Sequence, residues 1–549
     1  MNRVKRFRLL SSERGIATVI AILMVGMLTL VGLVAMNSSN DEVSIAGNNL
    51  NATRSFYAAE AGLEVASAAV QACYDSTGAP PSTMPSGSIT LNGATATYGV
   101  TDNGAATQKT LTQGALAGLN ALAKTYSLTS SGVSNASQTS ADLTMTFEAD
   151  LIPLFQFAVF YQNDCEIAPG PFMTLSGRVH CNSNLWLQSD NGLDITSNVT
   201  TAGNLRYGRK TTVLPTGTGD VRIKNAAGSF VSMKVGSSWV DHSYPSWTTT
   251  ATSMWNGKVQ DVAHGMTALN LPLASSGTPH KIIEPAASNP DSYESKATLK
   301  IVNNVAWQKV GSTWNNVTAA MVAGGVITYT ANKFTDQRDN KQVDCTELDV
   351  AKMYAQGFAP SNGVVYFSDD IASGSEWPAL RLVNGSTLNA PLTVASENPL
   401  YTKGNFNSVN KQPASLMADA ITFLSSSFSD AASAASYTTR IAANTIVNCA
   451  YVTGDTPTTG SLFSGGFQNL PRFLESWTGK TFTWSGSAIC LWNSVQANGN
   501  WTGGCYAPPS RVWSYDTMFN DPSKLPPSTP TVRVFQRTSW SEEYVGGTE

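Results

Sequence analysis

With 549 residues the chain exceeds the size at which one hydrophobic core stops growing, so two or more domains are expected. Charged residues are 13% of it, about half the usual share, while Ser, Thr, Asn and Gly crowd every segment after residue 76, the texture of a surface-exposed, β-rich protein. A formal net charge of -4, with no Lys/Arg stripe beyond the leader, leaves no electrostatic footprint for nucleic acid.

Residues 1–15 form a basic leader carrying Arg3, Lys5, Arg6, Arg8 and Arg14. From Ile16 to Met36 no residue is charged, and as a helix this run reaches roughly 31 Å, enough to cross a bilayer. Asp41 and Glu42 are the first charges after it, so the positive-inside rule keeps the leader in the cytoplasm and exports the rest. A cleaved secretory peptide has a shorter apolar core and then an unrelated mature start. Here apolar residues recur at three- and four-residue steps to about residue 72, predicting one helix over 16–74, first lipid-embedded and then amphipathic.

The leader ending in "ERG", the apolar run opening after Gly15, and "EVSIAGNNLNATRSFYAAEAGLEVA" from Glu42 to Ala66 resemble the N-terminal segment of PilX-type minor pilins. The resemblance rests on Glu42, Gly47, Asn48, Glu60 and Gly62 of the paired "AGN" and "AAEAGL" elements and covers about the first 70 residues. It implies that prepilin peptidase cuts between Gly15 and Ile16 and methylates the new terminus, and that the partners are a bacterial inner membrane and other pilins. Major pilins usually have Glu five residues into the mature chain; this sequence has Ile20. That departure fits a minor subunit at a filament end, where no neighbour offers an amino terminus to offset a carboxylate in lipid. A single-pass anchor that never polymerises is the alternative.

"DSTGAPPSTMPSG" (75–87) reads as a linker. Residues 88–152 alternate apolar and polar with period two around an Asn-Gly turn at 92–93, predicting a pilin-like antiparallel sheet under the helix. From 157 to 549 a β-rich exported domain is expected. Its short apolar pulses, Val179, Leu185/Leu187, Leu193/Ile195 and Val199, recur about every 20 residues, as in a degenerate parallel β-helix, with a β-sandwich as the alternative. "TTAGNL" (200–205) and "YTKGNF" (401–406) are loosely matching pieces of that texture. An inserted β subdomain is placed at about 206–345, where "KVGSSW" (234–239) and "KVGSTW" (309–314) each read as a hairpin, and "NLPRFLESW" (469–477) reads as a short amphipathic helix.

Signals for chemistry are sparse. There is no H-E-x-x-H, G-x-S-x-G or phosphate loop, and no cofactor is implied. Asp336, Asp339, Asp369, Asp370 and Glu376 lie in two acidic runs that suit hard cations or a glycosidase pair, or solvated turns. Cys165 with Cys181, and Cys490 with Cys505, close loops short enough for disulfides if exported; buried free thiols are the other reading. The functional expectation is therefore a non-enzymatic minor pilin-like subunit of a type IV pilus or related secretion filament. It would display its β-rich domain at the tip or cell surface for assembly initiation or adhesion, with a surface glycan among the candidate partners. A membrane-tethered β-helix protein that binds or cleaves polysaccharide is the competing class.

Overall fold

Helix α1 runs unbroken from Glu13 to Thr77, 65 residues and about 97 Å at 1.5 Å per residue. The computed structural model describes residues 13–543 apart from 138, 212–214, 274–277, 371–376, 460–461 and 502–503, so most of the leader and Glu376 lie outside the described residues. α1 ends at Gly78, whose positive φ of 72° lets its N–H return to Tyr74 O at 2.8 Å, a left-handed C-terminal stop. Its second half buries Ala58, Ala59, Leu63, Ala66, Val70 and Tyr74, the three- and four-residue steps of a single face.

That face lies on an antiparallel sheet built from β1 (Ser86–Leu91), β2 (Ala94–Asp102), β3 (Thr107–Thr110), β4 (Asn120–Ser134) and β5 (Ser140–Pro153). Asn92 and Gly93, at φ 50° and 80°, make the tight turn joining β1 to β2. The outer partner of β5 is the final strand, Thr531–Glu543, paired antiparallel from Thr531↔Pro153 to Glu543↔Asp142. Residues 531–543 therefore complete the sheet beneath the helix rather than belonging to the exported domain, to which the sequence pattern assigns them. Everything between Leu154 and Pro530 is inserted between two neighbouring strands.

The insertion is a solenoid with three strand-bearing faces. On the first face, β6 (Phe157–Tyr161) pairs in parallel with Arg178–Cys181, which pairs with Val199–Thr201, so that Val159, Val179 and Val199 stack. Leu185 sits between Cys165 and Leu205 on the second face, and Leu193 between Met173 and Val221 on the third. All nine of these residues are buried, and each contributes about 1.5–3 kcal/mol of transfer free energy when large and apolar. Sandwich sheets pair antiparallel, so this parallel stacking sets the sandwich alternative aside.

The winding order is permuted. From β6 the coils run outward to Val259–Gln260 at one end. The chain then crosses to Leu299–Val302 at the other end and winds back through Val364–Ser368, Leu392–Ser396, Ala414–Ala418 and Ala450–Asp455. It finishes with Ala488–Asn493 in parallel register against β6, at Val159↔Ala488 and Tyr161↔Cys490. This seam is tied by Ser487 Oγ donating to Phe157 O (2.5 Å), by Gln468 Nε2 donating to Ala168 O (3.1 Å), and by Tyr515 N–H donating to Ser176 Oγ (2.8 Å).

Three sequence expectations change. The span 206–345 is not a separate subdomain: Val221–Lys224, Val259–Gln260, Leu299–Val302 and Lys341–Asp349 are solenoid strands, and of the two expected hairpins Lys234–Trp239 forms its own two-stranded ribbon while Val305–Asn316 extends the first-face sheet beyond Leu299–Val302. Residues 469–477 form no α-helix: a 3-10 turn ends at Asn469, Leu470 caps it, and from Arg472 on the backbone makes parallel bridges, Thr422↔Arg472, Ile441↔Ser476 and Ser476↔Ala507, because the coil supplies neighbours on both sides. "TTAGNL" and "YTKGNF" occupy different corners: Leu205 opens a second-face strand, whereas Phe406 bridges to Val447 on the third.

Candidate functional site

The residues singled out from the sequence for assembly all lie on α1. Gly15 and Ile16 are near its start, and from Ile16 to Met36 every large apolar side chain is exposed, with Ile16 at 64% and Ile20 at 48%. Mean hydropathy reaches 2.7 in the most apolar 18-residue window, none of it buried, so this stretch is long and apolar enough to cross a membrane. Glu42 and Asn48 are also exposed, and a Cβ added at Gly47 would meet nothing within 4 Å, so these three touch nothing in the monomer that explains their identity.

The "AAEAGL" element has a local explanation. Ala58, Ala59 and Gly62 face the sheet while Glu60 points to solvent. A Cβ on Gly62 would collide with Ser130 Oγ, and one on Gly132 of β4 would collide with the carbonyl of Ser55 and the Ala59 nitrogen. Helix and sheet therefore approach through small residues from both sides, with Ala94 and Ala96 of β2 completing the seat.

The final strand holds the helix end. Arg533 lies over the Tyr74 ring, 4.2 Å from its centroid, and its Nη2 donates to Gly78 O at 2.6 Å. Tyr74 OH pairs with Tyr126 OH at 2.8 Å, and Phe535 stacks on Phe147 with centroids 5.6 Å apart. Arg537 reaches Glu64 at 2.5 Å, but both side chains are half exposed and the pair adds little. No sequence signal near α1 points to these partners, since their strand begins more than 450 residues downstream.

The acidic runs are occupied by the fold. Asp336 is buried, accepting from Tyr401 OH (2.7 Å) and Arg338 N–H (2.8 Å), while Asp339 pairs with Arg472 at 2.6 Å. Asp369 and Asp370 accept from Asn304 (3.4 Å) and Asn303 (3.1 Å) at the turn of the Leu299–Val310 hairpin. These four carboxylates thus serve coil packing and a turn, which accounts for them without a cation or a substrate. His180 is buried between Thr200 and Asn182, and burial pushes its pKa down to about 4.

All seven cysteines are free thiols. The coil length explains why the expected pairs do not meet: Cys165 stacks on Leu185 on the second face, whereas Cys181 lies on the first, its thiol donating to Asn163 O at 3.1 Å. Cys490 is beside Tyr161 at the seam, and Cys505 faces Arg338, Asp336 and Arg472. Burial holds the Cys165, Cys181, Cys490 and Cys505 thiols above their usual range, with Cys181 pushed up to about 12.

Residues 14–64 match the family model described as PilX N-terminal. No curated protein matches the chain. Among solved structures it is similar to the competence-associated pilin ComZ from Thermus thermophilus, with 12% identity, 90% of this chain and 97% of that chain covered, and a TM-score of 0.27. Over residues 14–64 the chain is thus similar to the PilX N-terminal family, and a large β-rich region follows that segment.

Proposed function

We propose that the protein is a structural, non-enzymatic minor pilin-like subunit that prepilin peptidase cuts after Gly15 and that carries its solenoid at a filament end. The observation that carries this reading is α1 itself: an uncharged, exposed apolar run from Ile16 to Met36 continuous with a part seated on the sheet, in a segment that matches the PilX N-terminal model. Exposed apolar surface of that extent needs lipid or neighbouring helices to cover it, and a filament of sibling pilins supplies helices after the membrane supplies lipid. The inserted domain of several hundred residues is hard to repeat in a tightly packed helical shaft and easy to place once, at an end.

Terminal-peptide mass spectrometry of protein from the native membrane tests processing. The expected mature terminus is N-methylated Ile16; an intact Met1, or a cut near residue 36, overturns the reading. Immunogold labelling tests position, with label expected at filament ends or in the envelope and uniform shaft decoration counting against it.

A further inference from the structure

At the seam the solenoid leaves a cavity of about 220 Å³ at the corner between the first and second faces. Elsewhere this corner is filled by a side-chain ladder at twenty-residue spacing: Asn204 N–H donates to Asn184 Oδ1 (3.0 Å), and Asn184 N–H donates to Asp164 Oδ1 (3.1 Å). The ladder stops at Asp164, because the next coil was laid down from the other end of the domain and brings Asn493 and Asp455 instead.

The groups around the cavity are unequally satisfied. Asp164 is paired with Lys210 Nζ at 2.8 Å and takes Ser183 Oγ at 2.6 Å. Glu166 is 5% exposed; one oxygen accepts the Lys210 N–H at 2.8 Å, while Oε1 accepts no hydrogen bond and has its nearest cation, Arg209 Nη1, 3.6 Å away. Asp455 has the Cys490 thiol as a hydrogen-bonding neighbour and no ion pair among the described residues, with Arg338, Lys210 and Arg472 acting on it at longer range. Burial pushes the Asp455 carboxyl up to about 7, and it raises Glu166 as well even though the Lys210 N–H and Arg209 act against it. Phe467 supplies an apolar wall. Among the described residues no three His, Cys, Asp or Glu side chains are placed to hold a metal ion.

We propose that this cavity binds one hydroxyl-rich ring bearing a cationic amine, an amino-sugar unit at the end of a glycan. The volume is below the range of drug-sized pockets and suits a single pyranose. Ring hydroxyls exchange hydrogen bonds with the exposed Asn163 and Asn493 of the lining, and the ammonium pairs with Asp455. The proposal deepens the display reading by giving the solenoid a chemical class to recognise.

Saturation-transfer NMR on the full chain in detergent micelles, with glucosamine, glucose and glucuronic acid as probes, tests it. Glucosamine is expected to bind most tightly and glucuronic acid not at all, and Asp455→Asn is expected to weaken glucosamine about tenfold. Absence of transfer from glucosamine, equal binding of glucuronic acid, or an unchanged affinity in a folded Asp455→Asn protein overturns the proposal. If that variant does not fold, the ranking of the three sugars by the wild-type chain decides alone. Because the readout needs no filament, sugar binding without incorporation would remove the pilin reading and leave the site standing, and the reverse result would remove only the site.

Discussion

Gly132 shows how narrowly the helix seat is set by single residues. The nearest atoms to a Cβ there are backbone atoms of α1, which cannot swing aside, so Gly132→Val must lift the helix from β4. Overpacking of this kind costs about 1–3 kcal/mol. A lower melting temperature for the sheet and helix, with faster proteolysis near Ser55, is the expected outcome. Asp150, buried on β5 beside Gln536 and 3.9 Å from Lys109, has its pKa pushed up to about 6, mainly by burial. The folded state therefore holds a proton that the unfolded chain releases near pH 4, so stability is greatest below that value and falls as pH rises toward 6. Asp150→Asn keeps the Gln536 contact without the charge and should raise the melting temperature at pH 8 while changing little at pH 4; a rise of equal size at both values would refute burial of the charge as the cause.

Among the elements, α1 was the most legible in the sequence, because an uninterrupted apolar run and a single buried face each leave a periodic trace. The N-terminal coils were legible for a similar reason, since Val159, Val179 and Val199 stack at constant spacing. Elsewhere one signal had two readings. Leu470, Phe473, Leu474 and Trp477 have helical spacing, yet all four are buried in a coil segment that leaves a 3-10 turn at Leu470 and then bridges to Thr422, Ile441 and Ala507. The final strand pairs Gln536 with Asp150, 386 residues away in the chain, and no local pattern encodes such a partner. The seam cavity was hidden for the same reason, because Asp164 and Asp455 meet only through the permuted winding. At the level of α1 a further outcome is expected: Ile20→Glu alters filament incorporation, measured by stoichiometry against the major pilin, and leaves hydrogen-exchange protection of the solenoid unchanged. Loss of that protection would mean that the membrane half of the helix and the coils are energetically coupled.

For the whole molecule, the governing feature is that the solenoid hangs between adjacent strands, entering after β5 and leaving before the final strand. Two covalent connections, rather than one flexible linker, orient it on the sheet. A load on the coils passes into a long antiparallel strand pair and, through Arg533, into the end of α1. The permuted winding has a consequence in time. The chain is made from its N-terminus, so β6 emerges early with one edge filled by Arg178–Cys181 and the other open. That open edge waits for a strand 330 residues later before Ser487 and its neighbours can close it. An unpaired parallel edge held open this long invites pairing with other chains, and closing so long a loop is slow. A chain stopped after Ser487 should therefore aggregate although most coils are present, and in pulse-labelled refolding the Gln162 amide, which donates to Cys490 O, should gain protection after those of Val179 and Leu185. Until the last coil arrives, the solenoid is an unfinished stack of coils with its middle edge open, so its completion is paced by the synthesis of its last coils.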